Sequence, residues 1–334
     1  MEDKLDEVIK RYPFNVKSRR RIRGAVLLDT DKGIFLAKIY NSGKNRLIFE
    51  EGIKKMLVEG GCSDVDIAIE NINGELLTDD GVGNKWLMKR WYNGEECDIR
   101  DIKKVILASS NMAKLHKIMV MGAEVKEPVI EIKPSKMDIK ALFARHNREI
   151  KRVHGYIREK RQKNDMEICL LNSYKNFYEQ GKQAEEFLTE CGYDRLCEVT
   201  REHRRVFHGS YNYHNIILID DRVITTNFEK ADIGIQISDL YDFLRKVMEK
   251  NSWQMEFGIG AIEAYCKVRQ PEEEEKKVLY AMLLYPEKYW KLINFYYNGK
   301  KSWMSVKNYE KLLRICRQEE VRIKFLKEVK KLLI

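Results

Sequence analysis

Residues 206–228 break the pattern of everything around them. VFHGSYNYHNIILID followed by VITTNF reads as loop, strand, turn and strand, with apolar and β-branched runs punctuated by Gly, Asn and Asp. The flanking sequence is helical instead. Residues 100–118 form one helical pattern, and Phe143, His146, Ile150, Val153 and Ile157 recur at spacings of three and four, on one face of another. The first hundred residues reverse the balance, with strands around one helix. GAVLLDT (24–30) and IFLAKIY (34–40) flank a turn at Asp31–Gly33, a hairpin signal. Residues 44–59 read as a helix closed by Gly60 and Gly61, and strands are expected at Asp66–Ile72 and Lys85–Tyr92. The chain is therefore expected to be an α+β protein of two lobes. A small antiparallel-sheet lobe with one helix would cover 1–92, and a larger, mainly helical lobe 93–334, joined near the NGEE segment at 93–96.

At 334 residues, 44% of them hydrophobic, the chain can bury well-filled cores and is not a disordered protein. It contains no run of about 18 apolar residues, so no membrane helix is expected. Its N-terminus, MEDKLDEVIKR, has no apolar stretch of the secretory kind, which predicts a protein kept inside the cell. Seven scattered cysteines, none in a CxxC pair, suggest neither a zinc site nor a disulfide framework. The formal charge of +10, from 62 Lys and Arg against 52 Asp and Glu, favours anionic partners without choosing among them. The basic run from 145 to 163 reads as the solvated face of an amphipathic helix. No nucleic-acid-binding signature accompanies it, so nucleic acid is not expected as a partner.

HGSYNYHN (His208–Asn215), then NFE (Asn227–Glu229), then SDL (Ser238–Leu240) resembles the catalytic core of aminoglycoside and choline kinase-like phosphotransferases. The family pattern is HGDxxxxN, a DFE-like element and a later DLA-type aspartate. The resemblance implies a protein-kinase-like bilobal fold with the catalytic-loop remnant at 206–229. Such a site works by electrostatics: phosphoryl transfer spreads negative charge over oxygens, which Mg2+, a lysine and exact placement must meet. By the resemblance, the first acid would accept the proton of the attacking hydroxyl, and the Asn and the second acid would hold the metal. Here Asn215 is kept, but the base position is Ser210 and the second metal position is Asn227. His208 and Asp239 are expected to be structural, Asp239 as the acid that braces the loop. His214 and Glu229 are acids or bases within reach in sequence, with no position fixed by it.

The first lobe gives a separate check. Along 34–40 the even-numbered residues share a face, which puts Lys38 with Ile34, Leu36 and Tyr40. By the resemblance it is the strand lysine that meets ATP phosphates, and its expected partner is Glu50 on the following helix. Met88 and Trp91 are expected near the adenine. No glycine-rich loop precedes Lys38. ATP and Mg2+ are thus expected to bind weakly or not at all.

RKVMEKNSW (245–253), LLYPEKYWKLINFYYNGKKSW (283–303) and EKL (310–312), with the DTDKG hairpin and the FHGSYNYHNIIL core, resemble CotS-type spore coat proteins, a kinase-like family of endospore-forming bacteria. That resemblance implies a protein made in the mother-cell cytoplasm and deposited on the spore coat, with other coat proteins as partners. Joined to the two lost acids it implies a pseudokinase acting by binding; the alternative is an active small-molecule phosphotransferase. The aromatic residues Tyr285, Tyr289, Trp290, Phe295, Tyr296, Tyr297 and Trp303 read first as an aromatic-rich core, with a substrate wall or a partner surface as the alternatives.

Overall fold

The computed structural model describes residues 2–121, 138–298 and 306–334. A helix α1 (Glu2–Ile9) opens the chain, followed by strands β1 (Val16–Ile22), β2 (Ala25–Thr30) and β3 (Gly33–Ile39). Helix α2 (Lys44–Glu59) and strands β4 (Leu77–Asp79) and β5 (Lys85–Arg90) complete the small lobe. Its five strands form one antiparallel sheet in the order β1-β2-β3-β5-β4.

The sheet is packed on both faces. Leu5, Val8 and Ile9 of α1, with Tyr12 and Phe14, cover Leu28, Phe35, Ala37, Trp86 and Met88. On the other face Leu47 of α2 meets Tyr40, Ala68 and Leu87. Sequence reasoning anticipated the hairpin and α2 but neither α1 nor β1. VKSRRRI has no alternation to read, because β1 is an edge strand whose residues Lys17 to Arg21 are all exposed. The strand expected at Asp66–Ile72 is also corrected. That segment is extended but pairs only briefly, Ile69 N–H donating to Met88 O at 2.9 Å and Arg90 N–H to Ile67 O at 2.8 Å.

The large lobe is built on helices α3 (Ile102–Ile118), α4 (Ile139–Glu159), α5 (Asp165–Glu190), α6 (Tyr193–Glu202), α7 (Ile237–Lys250), α8 (Met255–Val268), α9 (Glu273–Leu284), α10 (Glu287–Asn298) and α11 (Val306–Leu333). Short strands are set among them. β6 (Glu95–Glu96) pairs with β8 (Ile216–Ile219), which pairs with β9 (Arg222–Thr225); β7 (Val206–Phe207) pairs with β10 (Asp232–Ile233). This is the anticipated break in the helical pattern.

On α4 the residues Phe143, His146, Ile150, Val153 and Ile157 are buried, while Arg145, Arg148, Lys151 and Arg158 are exposed. The C-terminal aromatics staple α4 and α5 to the later helices. Tyr285 stacks on Phe143 at 3.9 Å between ring centres, Trp290 on His146 at 3.3 Å, and Tyr289 on Phe177 at 4.2 Å. Tyr285 and Tyr289 are core, Trp290, Tyr296 and Tyr297 are partly buried against it, and Phe295 is exposed. Trp303 and the EPVIEIKPSKM connection lie outside the described residues. Among the described residues no helix is long and apolar enough to cross a membrane.

Candidate active site

The loop that follows β7 is fixed from behind by Asp239, at the start of α7. Its carboxylate accepts from His208 N–H at 2.5 Å, from Gly209 N–H at 2.9 Å, and lies 3.1 Å from His116 Nε2. His116 in turn meets the Tyr265 hydroxyl at 2.7 Å. All four side chains of this group, Asp239, His208, His116 and Tyr265, are buried. His208 Nδ1 accepts from Ser210 N–H at 3.1 Å, which leaves Nε2 to donate to the Thr226 carbonyl at 3.1 Å. Burial depresses the basicity of His208, and this arrangement uses the neutral ring. Gly209 is required twice over. Its φ of +71° favours glycine, and a Cβ would lie 2.1 Å from Lys230 O.

The front of the loop is a set of neutral groups hydrogen-bonded mainly to one another. Ser210 Oγ accepts from Asn212 Nδ2 at 3.2 Å and from Asn215 Nδ2 at 3.1 Å. The Ser210 carbonyl accepts from the same two amides at 3.0 and 2.8 Å. Asn215 closes the short turn Tyr213–Asn215, and its Oδ1 lies 3.4 Å from Asn227 Nδ2. Asn227 has φ 67° and ψ 64°, a left-handed conformation that asparagine tolerates better than most residues. The structure therefore brings Ser210, Asn215 and Asn227 into one cluster.

Lys38 comes from β3 to Glu229, next but one to Asn227 in the chain, and this partner corrects the sequence reading. It forms a salt bridge with Glu229, not Glu50. Glu50 is wholly buried and accepts from the Tyr40 hydroxyl at 2.8 Å. Burial pushes its carboxyl above the usual carboxylate range. Helical phase put Glu50 on the buried side, as found, but could not tell which polar group would be waiting there. Met88 and Trp91, the residues expected near the adenine, have their backbone groups engaged within the small lobe. Met88 sits inside β5, its carbonyl taken by Ile69 N–H and its side chain in the core under α1, on the face away from Lys38. Trp91 N–H is likewise spent on Ile34 O at 2.8 Å.

Several groups at the site went unnoticed in the sequence. Asp66, buried, accepts from Asn227 N–H at 2.9 Å and lies 3.1 Å from Lys89 Nζ and 3.3 Å from Lys54 Nζ. Burial alone would raise its carboxyl; the two ammonium groups outweigh that and hold it below the usual range. Arg46 of α2 donates to the carbonyls of Glu229 and Ala231. Lys89 could have been found, because it lies two residues from buried Leu87 on one strand face, the argument that singled out Lys38. Asp66 carried no comparable signal.

The donor set does not suit Mg2+. That ion favours carboxylate with phosphate, but here the Asn215 and Asn227 positions offer amides, while Glu229 and Asp66 are held by lysines. Asn227 Oδ1 is buried without a hydrogen-bond partner, a single neutral oxygen. Among the described residues no group of three or more His, Cys, Asp or Glu could hold a metal ion.

A small antiparallel lobe, a larger helical lobe and a braced HG loop between strands define a kinase-like phosphotransferase fold. The solved aminoglycoside phosphotransferase from Alicyclobacillus acidocaldarius superposes with a TM-score of 0.88 at 15% identity, over 98% of this chain and 96% of that one. Amicoumacin kinase hAmiN, solved with AMP-PNP, Ca2+ and Ami, gives 0.63 at 12% identity, over 97% and 93%. These likenesses show the fold. The chain itself belongs to the family described as "Spore coat putative kinase YutH", whose model matches residues 6–329. It is also 23% identical to spore coat protein S of Bacillus subtilis (strain 168), over 99% of this chain and 95% of that protein.

Proposed function

We propose that this chain is a spore coat component whose kinase-like cleft is catalytically impaired and which works by binding, with other coat proteins as its partners. It would be made in the mother cell and deposited on the coat. One observation carries the impaired reading. The base position is a serine hydroxyl that accepts two amide hydrogen bonds, and the second metal position is an amide facing Asn215. A positioned general base contributes about 10²–10⁴-fold in rate, and nothing in this cluster has the charge to replace one. Lys38, the group that would meet phosphate, is matched by Glu229.

Calorimetric titration of ATP, with and without Mg2+, tests the reading on wild type and on the S210D/N227D double variant. Wild type should bind without regard to Mg2+ and show no transfer to any hydroxyl acceptor. The double variant should gain Mg2+-dependent binding and ATP turnover at least about 10²-fold above wild type. Magnesium-dependent binding and transfer by wild type would instead establish an active small-molecule phosphotransferase.

A further inference from the structure

The tip of the β1–β2 hairpin overhangs Lys38, because Ala25 is the direct register partner of Lys38 and the turn lies just beyond it. That turn has only two central residues, Arg23 (φ 34°) and Gly24 (φ 79°), closed by the pair Ile22 and Ala25. Positive φ at the first of these suits Gly, Asn or Asp, and an arginine there is strained. The guanidinium is not idle. It crosses to the C-terminal lobe, Nη1 lying 2.6 Å and Nη2 3.0 Å from the Glu96 carboxylate on β6. His214, next to Asn215 in the loop, is 2.7 Å from the same carboxylate through Nδ1. Two bridges thus join hairpin and sheet to the loop side, Arg23 with Glu96 and Lys38 with Glu229. In each, a carboxylate sits where a phosphate could pair with the same cation.

We infer that Arg23 is a phosphate-binding residue of this cleft and that Glu96 is its internal competitor, so that the cleft takes polyphosphate anions, such as a nucleoside di- or triphosphate, without a divalent cation. The inference rests on the impaired-cleft reading: with Glu229 and Asp66 held by lysines and amides at Asn215 and Asn227, Arg23 and Lys38 supply the positive charge that a metal would otherwise bring. A guanidinium suits the task, since it pairs with phosphate through two parallel hydrogen bonds. Binding opens the Arg23–Glu96 bridge, and loss of the anion lets it close.

The test is calorimetric titration of inorganic tripolyphosphate and of ADP into the full chain in EDTA, using wild type and the E96Q, R23G, K38A and R20A variants. R23G removes the guanidinium and also relieves the strained turn, so it should fold. Wild type should bind both probes. E96Q should bind about three- to fivefold more tightly, the scale of a partly exposed ion pair. R23G should bind about tenfold more weakly, the scale of a lost charge-assisted bond. R20A, exposed on β1 before the closing pair Ile22 and Ala25, should match wild type.

Unchanged binding by R23G with loss in K38A would overturn the role of Arg23 and leave the impaired-cleft reading standing. Equal losses in R20A and R23G would overturn it as well, showing diffuse attraction to the basic strand. Binding that appears only when Mg2+ is added would overturn both the inference and the impaired reading. Absence of binding with or without the metal would overturn the inference, and with it the expectation that wild type binds ATP, while leaving the absence of transfer standing.

Discussion

The back and front of the loop at His208–Asn215 obey different constraints. Behind it, Asp239, His208, His116 and Tyr265 form a buried chain in which a carboxylate collects two backbone N–H groups and an imidazole. In front, Ser210, Asn212, Asn215 and Asn227 are neutral and bond to one another, and Lys38 is matched by Glu229. A buried charge cannot lose one partner without leaving the other stranded. Partly exposed neutral groups can be exchanged at little cost to the fold. The fold therefore demands the back whatever the protein does, whereas only the reaction demands acids in front. On the impaired reading proposed above, that is how a chain can hold HG, Asn215 and Asp239 with Ser210 and Asn227 in front.

The comparison can be broken at three points. Asp239→Ala should cost the most, about 3–5 kcal/mol in urea unfolding, because it strands buried donors. A loss below about 1 kcal/mol, the worth of an ordinary hydrogen bond, would mean that something else holds the loop. A smaller effect should come with acid. His208 is less basic folded than unfolded. Below its unfolded value the unfolded chain binds the extra proton, so stability should fall as pH drops from about 6.5 toward the depressed folded value. Urea midpoints between pH 7.5 and 5 would show it. The H146F background removes a second buried imidazole, whose value burial lowers to about 4. A flat profile in that background would count against the neutral-ring arrangement. Glu229→Gln should cost least, under about 1 kcal/mol, since both partners of its bridge to Lys38 are partly exposed. A cost as large as that of Asp239→Ala would erase the distinction between back and front.

Much of the architecture was legible because periodicity and turn chemistry carry it. The 24–40 hairpin, α2, the buried face of α4 and the strand break at 206–228 each follow from a local pattern. What stayed hidden lacks one. β1 is a charged edge strand, and the segment after α2 makes too few ladder bonds to need alternation. At the site, residue types were readable where motif order fixed them, as at Ser210 and Asn227. Pairings were not: Lys38 with Glu229 joins residues 191 positions apart, and Arg23 with Glu96 joins 73. Such contacts depend on how the lobes close, which no local spacing encodes.

The junction at Asp66 bears on how the molecule can move. Asp66 touches Lys54 on α2, Lys89 on β5 and the backbone of Asn227, and Arg46 ties the start of α2 to the carbonyls of Glu229 and Ala231. Swinging α2 outward would pull Lys54 from its counter-ion while it is still enclosed, a penalty of several kcal/mol. The helix thus behaves as a rivet rather than a lever, and motion between the lobes is left to the hairpin tip and the partly exposed bridges at the mouth of the cleft.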